Sequence, residues 1–419
     1  MEITKLLEKT HSCDCGMEHS CDIKHCIIEK DAVLKLPQIA KDYKGILLVA
    51  DRNTYKVCGK RVEEILPHKD IFVYEEEGLV IPNEIAWEKL QKRVTSEIDL
   101  IVGIGSGVIQ DLCKYVSFLC KIDYFIVATA PSMDGYSSSG AAMIANDMKI
   151  TFSAHVPKAI VADTEVLKNA PMDMIVAGFG DIIGKYSCIN DWELSALVNG
   201  EYYCPWVAGL VLDVVNDVRA LSDKLIQRDE TAAKKLMEAL VISGICMSFV
   251  GNSRPASGSE HHFSHFFEIT GILENKPYFS HGVDVAYSTV ESQKMREEIL
   301  NMKNLPEKFE FDREKWSDKI RGIYGKAAEG VIAQQDKLGW YQKDYLSIYK
   351  EKFDDIKEIL KKVPSSAELV SIFEGVGLDM KAFFEMYGEE KLKNARFYAK
   401  DLKDRYTVLW MHNILFADK

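Results

Sequence analysis

Apolar residues in the first third of the chain come in short continuous runs, each closed by small or acidic residues and followed by a stretch with helical spacing. "GILLVAD" (Gly45–Asp51) is one such run, and a helical stretch follows from Asn53. "DIFVYEEE" is a second, with the helical "NEIAWEKLQKRV" behind it. "IDLIVGIGSG" breaks into glycines before the helical "VIQDLCKYVSFLC", and "DYFIVATAPS" is a fourth strand. Runs that are apolar throughout, instead of alternating, predict strands buried on both faces, hence a parallel sheet covered by helices. The character changes after "AIVADTEVLKNAP" (Ala159–Pro171). From there to Lys419 long helical periodicities dominate, as in "TAAKKLMEALVISGICMSFVG" and "KDYLSIYKEKFDDIKEILKKV". The pattern divides the chain into a Cys/His-rich segment (1–26), an α/β domain (27–168) and an all-helical domain (169–419).

Composition narrows the class of function. With 47% hydrophobic residues and 28% charged over 419 residues, the chain has ample material for two globular cores. A formal charge of -12 argues against a nucleic-acid partner, which needs clustered Lys and Arg. A small anion held by a few local basic residues stays open. No apolar run is long enough to span a bilayer, so no membrane insertion is expected. Met1 to Leu36 has no uninterrupted apolar stretch, so a secretory signal is not expected either. Cys58, Cys113, Cys120, Cys188, Cys204 and Cys246 are scattered singly, as expected for reduced thiols of a cytoplasmic protein.

Three stretches carry candidate chemistry. "VGIGSGVIQDLCK" (Val102–Lys114) is a strand, a tight glycine turn and a helix start. Small residues there let a backbone approach a phosphate, and the helix N-terminus supplies N–H donors. The spacing is not G-x-G-x-x-G, and a plain strand-to-helix turn is the other reading. Asp51, at the end of an earlier strand, could accept from a ribose hydroxyl or be a solvated loop acid. "ATAPSMDGYSSSGAAM" (Ala128–Met143) follows the fourth strand and gathers hydroxyls and small residues around Asp134, as a binding loop would.

In the helical half, "SRPASGSEHHFSHFFE" (Ser253–Glu268) holds His261 and His265 four residues apart, on one face of a helix. His281 opens another helical pattern, and Asp181 sits deep in the apolar "AGFGDIIGKYSC". A buried carboxylate is costly unless paired or coordinated. One Asp with two His suits Zn(II), Fe(II) or Ni(II) and leaves positions open for substrate oxygens. Each histidine taken alone also suits a hydrogen-bonded core position.

These residues resemble the iron-dependent alcohol dehydrogenase and dehydroquinate synthase superfamily, from about Cys26 onward. "GSGVIQDLCK" is similar to its glycine-triplet motif, with Asp111 and Lys114 following and Ser106 in place of the middle glycine. "GDIIGKYSCINDWEL", "SRPASGSEHHFSH" and "SHGVDVA" look like its three metal-ligand segments in order. "PSMDGYSSS" and "SRPASGSEH" are most similar to the sn-glycerol-1-phosphate dehydrogenase branch. Dehydroquinate synthases carry Glu at the first ligand position, whereas here it is Asp181. Plain glycerol dehydrogenases lack the "SRPASGSEH" form and act on an unphosphorylated polyol.

The resemblance implies a Rossmann-like α/β domain, followed by a helical metal- and substrate-binding domain, as in dehydroquinate synthase. It implies metal ligation by Asp181, His261 and His281, with His265 meeting the substrate and Asp134 binding its hydroxyls. NAD(H) or NADP(H) would lie against Gly105, Ser106, Gly107, Val108 and Ile109, with Thr129, Ser132 and Ser138 around the nicotinamide. Asp51 leans the cofactor toward NAD. His262 has no counterpart in the ligand pattern and is expected to be structural. Arg254 and Lys185 are candidates for the substrate phosphate. The implied reaction is reversible reduction of dihydroxyacetone phosphate, a small phosphorylated three-carbon substrate, to sn-glycerol 1-phosphate. A polyol dehydrogenase and a sugar phosphate cyclase (a lyase) are the alternatives. A homodimer or larger homo-oligomer is what the resemblance suggests.

"HSCDCGMEHSCDIKHC" (His11–Cys26) remains outside this scheme. The spacings of Cys13, Cys15, Cys21 and Cys26 match no familiar zinc module. An accessory structural zinc and a reduced cysteine-rich arm are both open.

Overall fold

The continuous apolar runs do form a parallel sheet. The computed structural model describes residues 2–8, 10–76, 78, 80–145 and 148–417. By their internal contacts these form two compact units, Met1–Ile182 with Asn216–Asn252, and Ile183–Val215 with Ser253–Lys419.

In the first unit two short strands, β1 (His11–Ser12) and β2 (Glu18–His19), pair antiparallel. Then come β3 (His25–Glu29), β4 (Ile46–Asp51), β5 (Asp70–Tyr74), β6 (Leu100–Gly105) and β7 (Asp123–Ala128). The hairpin β8 (Gly140–Ala145) and β9 (Met148–Ser153) follows, and β10 (Ala159–Asp163) closes the set. Six strands form one sheet in the order β3-β10-β7-β6-β4-β5, all parallel. Successive residues of β4 serve opposite faces. Leu48 and Ala50 pack with Val102, Ile104 and Phe125, while Leu47 and Val49 pack with Ile101 and Tyr124. Both faces are buried, which is why these strands read as unbroken apolar runs.

The sheet starts earlier than the apolar pattern predicts. Its edge strand β3 contains His25 and Cys26, so the Cys/His-rich segment runs directly into the sheet. Glu77, at the end of the "DIFVYEEE" run, lies outside the described residues. The helix Gly107–Cys120 buries Ile109, Leu112, Cys113 and Val116, an i, i+3, i+4, i+7 stripe, on one face of the sheet. The helices Met172–Ile183 and Glu230–Val250 bring two glycines against the loop after β7. A Cβ at Gly178 would fall 1.9 Å from the Pro131 carbonyl oxygen, and one at Gly244 would fall 2.2 Å from Ser137 Oγ.

The second unit is helical throughout. Its helix Lys185–Asn199 supplies Asp191, wholly buried and paired with the equally buried Arg296 at 2.7 Å. The remaining oxygen of Asp191 accepts from the Ser259 N–H at 2.7 Å, fixing the start of the helix Ser259–Glu274. Gly258 allows this approach, since a Cβ there would meet Asp191 Oδ2 at 2.7 Å and Cys188 Cα at 2.6 Å. Among the described residues no helix is long and apolar enough to cross a membrane.

Candidate active site

In the first unit the order of strands fixes where a ligand can enter. β5 lies on one side of β4 and β6 on the other, so the winding reverses there and opens a crevice at their carboxyl ends. Asp51 ends β4, and Gly105 ends β6 next to it. Thr129, just past β7, donates its N–H to the Gly105 carbonyl at 3.1 Å. The structure thus brings together Asp51, the Gly105–Ile109 turn and Thr129.

The glycines of the turn have different reasons. A Cβ at Gly103 would meet Cys113 Sγ at 2.8 Å, and one at Gly105 would meet Ile109 Cβ at 2.6 Å, so both allow the helix to lie close on its strand. Gly107 meets nothing nearer than Met133 Cγ at 3.6 Å, so packing alone does not require it. Ser106 occupies the N-cap position without a side-chain cap bond. Asp51 is engaged as a helix cap. Its Oδ1 accepts from the Asn53 and Thr54 N–H groups, both at 2.8 Å.

Lys114 is buried and organises the loop after β7. Its Nζ donates to the carbonyls of Gly135 (2.9 Å) and Gly140 (2.7 Å), and to Ser138 Oγ (3.3 Å) and Asp111 Oδ1 (3.3 Å). Burial lowers its pKa, partly countered by Asp111. Ser138 is therefore tied to this lysine, and Ser132 borders the buried Tyr136. Asp134 and Asp181 are brought together in the same unit. The Asp134 N–H donates to Asp181 Oδ2 at 3.0 Å, and Ser243 Oγ donates to Asp134 Oδ2 at 3.2 Å. Asp181 is fully buried, two residues before the second unit begins.

In the second unit His261, His265 and His281 form one cluster. Ring centroids lie 5.0 Å apart for His261 and His281, 5.8 Å for His265 and His281, and 6.3 Å for His261 and His265. Nδ1 of His261 lies 2.7 Å from Glu260 Oε1, and Nδ1 of His281 lies 3.3 Å from Ser264 Oγ. The Glu260 carboxyl is raised by burial, although Gly258 donates to it and Lys185 lies near. His281 opens the helix His281–Leu300. Phe279 and Asp284, on either side of it, are both bonded to Tyr387 Oη, at 3.2 and 2.7 Å. His262, beside His261 in the chain, is fully buried. Burial and the charges of Arg405, Lys403 and Arg254 push its pKa well down, which suits a neutral structural residue.

The two phosphate candidates are both engaged. Arg254 is buried and grips Glu201 with Nε and Nη2, and Lys185 Nζ donates to the Ala256 carbonyl at 3.0 Å. Arg405, which no local pattern points to, donates to the Ser257 carbonyl at 2.7 Å across 148 residues. It also donates to Ser253 Oγ at 2.9 Å, and burial with the Arg254 charge lowers its pKa to about 10. Glu260 is a second residue beyond the sequence reading, although an acid adjoining the HxxxH pair is a usable signal.

Within the second unit, His261 and His281 offer two imidazole donors that suit a divalent ion, and groups that orient metal-binding imidazoles are present as Glu260 and Ser264. The crevice at β4 and β6 suits a nucleotide in the same sense, with small residues at a helix N-terminus.

Residues 27–171 match the iron-containing alcohol dehydrogenase family. A glycerol-1-phosphate dehydrogenase (NAD(P)+) of Bacillus licheniformis is 29% identical over 412 residues, covering 96% of this chain and 92% of the relative. One from Halalkalibacterium halodurans is 34% identical over 288 residues, covering 66% and 72%. Among solved structures, the iron-containing alcohol dehydrogenase of Thermococcus thioreducens shares the fold with a TM-score of 0.54. It is 16% identical, with 89% of this chain and 92% of that one covered.

Proposed function

The chain belongs to the glycerol-1-phosphate dehydrogenase family, and we infer that it is an NAD(P)-dependent oxidoreductase interconverting dihydroxyacetone phosphate and sn-glycerol 1-phosphate. The observation that carries the phosphorylated substrate, over a bare polyol, is the basic group around Ser253–Gly258. Arg254, Arg405 and Lys403 all bear on the buried His262 there, and Lys185 holds the Ala256 carbonyl. Glu201 balances Arg254, which leaves Arg405 and Lys403 as the source of positive potential toward a phosphate.

Asp181, His261 and His281 would hold the metal, and Zn(II), Ni(II) and Fe(II) all suit these donors. With Nδ1 of His261 beside Glu260 and that of His281 beside Ser264, Nε2 would be the ligating atom of each. The chemistry supplied when both are bound would be Lewis-acid polarisation of a carbonyl by the ion and hydride transfer by the nicotinamide. His265, one helical turn from His261, would exchange the proton of the substrate hydroxyl, and Asp134 would orient the hydroxyls. Gly105–Ile109, Thr129, Ser132 and Ser138 would line the cofactor, with Asp51 facing the ribose.

The test is NADH absorbance with dihydroxyacetone phosphate, with dihydroxyacetone, and with neither, after addition of each metal singly. Oxidation with the phosphate ester alone is expected. Turnover of dihydroxyacetone only would make the protein a polyol dehydrogenase, and no oxidation with the phosphate ester under any metal would refute the reading. Asp181→Ala and His281→Ala should each abolish turnover.

A further inference from the structure

The His11–Cys26 stretch has no part in the chemistry above, yet its fold is specific. β1 and β2 pair His11 with His19 and Ser12 with Glu18 around a tight turn. The turn is closed by the Gly16 N–H donating to the Cys13 carbonyl at 3.1 Å, with Gly16 at φ +84°, a conformation that favours glycine. This knuckle places Cys13 and Cys15 on the turn and His19 on the returning strand. Cys15 Sγ lies 3.3 Å from Nε2 of His19.

His19 itself is fully buried and held from behind. Its Nδ1 lies 2.9 Å from the Phe249 carbonyl, at the end of the helix Glu230–Val250, and its ring lies against the Phe249 ring. A carbonyl can only accept, so Nδ1 carries the proton and Nε2 presents its lone pair toward the cysteines. That is the tautomer and backing found behind metal-binding imidazoles. Zinc bonds of about 2.3 Å to sulfur and about 2.0 Å to nitrogen, at a tetrahedral angle, put the two donors about 3.5 Å apart. The Cys15–His19 pair matches that separation.

We propose that Cys13, Cys15 and His19 hold a structural zinc ion distinct from the catalytic metal. Two thiolates and one imidazole are a donor set that selects zinc over harder cations. Its role is to pin the N-terminal knuckle, which is too short to be stable by its own strand pairing.

Cobalt(II) reads the site independently of activity, because the Asp181, His261 and His281 donors include no sulfur. Full-length protein reconstituted with Co(II) should show thiolate-to-cobalt charge-transfer absorption in the near ultraviolet. The band should persist in Asp181→Ala/His281→Ala and vanish in Cys13→Ser/Cys15→Ser. Protein prepared with zinc should retain one equivalent in the Asp181→Ala/His281→Ala variant. Absence of the band in the wild type overturns the proposal whether or not any variant folds. So does its persistence in Cys13→Ser/Cys15→Ser, or a Cys13–Cys15 disulfide in the purified protein.

Discussion

Asp51 shows how one residue type in one place can serve two purposes. Its Oδ1 caps the helical turn after β4, and its position at the crevice faces it toward a bound ribose in the proposed reading. The two roles separate by substitution. Asp51→Asn keeps an oxygen for the cap but removes the charge that repels a 2′-phosphate, so the ratio of kcat/KM for NADPH over NADH should rise. Asp51→Ala removes the cap as well and should cost about 1 kcal/mol of stability, measured by urea unfolding. A ratio unchanged in Asp51→Asn would leave Asp51 as a cap alone. A second residue sets a pH limit on stability. Burial alone would raise the Glu298 carboxyl, but His412 and Arg396, each 2.6 Å from one of its oxygens, bring it down to about 2. A depressed acid stabilises the fold fully above its ordinary value and loses that contribution as pH falls from about 4.5 toward about 2. The unfolding midpoint should therefore drop less between about pH 5 and about pH 3 in Glu298→Gln than in the wild type. Candidate residues were legible where chemistry is written locally, as in the HxxxH spacing or an acid inside an apolar helix. Their partners were not, because Arg405 and Ser257 meet across 148 residues and nothing near either marks the other.

Elements were legible to the degree that one force shaped them. Strands buried on both faces must be apolar throughout, and β4, β6 and β7 announce themselves. β3 does not, because it is five residues at a sheet edge with His, Cys and Glu among them. The hairpin β8–β9 was hidden for another reason. Gly140–Ala145 opens on small residues, Gly140 to Ala142, that read as a loop, and it pairs with its neighbour instead of joining the main sheet. Close approach of helices is legible only as glycine, and glycine has several causes. Gly178→Ala should push the Pro131 carbonyl away and displace the loop carrying Asp134. A loss of roughly 1–3 kcal/mol is expected from overpacking, with a fall in turnover. Gly209, in the helix Pro205–Arg219, has no atom within 4 Å of where a Cβ would stand. Gly209→Ala should stabilise by up to about 1 kcal/mol through helix propensity. Equal effects at the two positions would show that the Pro131 contact does not govern the loop.

At the scale of the whole molecule, the sequence divides its chemistry by the kind of element that can hold each part. A nucleotide needs main-chain donors at strand ends, which a parallel sheet provides at its point of reversal. A metal needs side chains held at fixed spacing, which helices provide. The His261–His265–His281 cluster lies wholly within the helical unit, and the β4–β6 crevice wholly within the sheet unit. Mild chelation should therefore separate the two functions. Carboxylate and imidazole ligands with positions left open release a borderline ion more readily than thiolates do. A chelator applied briefly should thus remove the catalytic metal first. Turnover of dihydroxyacetone phosphate should be lost while NADH still binds, as followed by the fluorescence of the bound nicotinamide. Returning Zn(II), Ni(II) or Fe(II) singly should restore activity, and the ion that restores most identifies the metal. If NADH binding disappeared together with turnover, the metal would be organising the crevice as well, and the division of labour argued from the two units would fail.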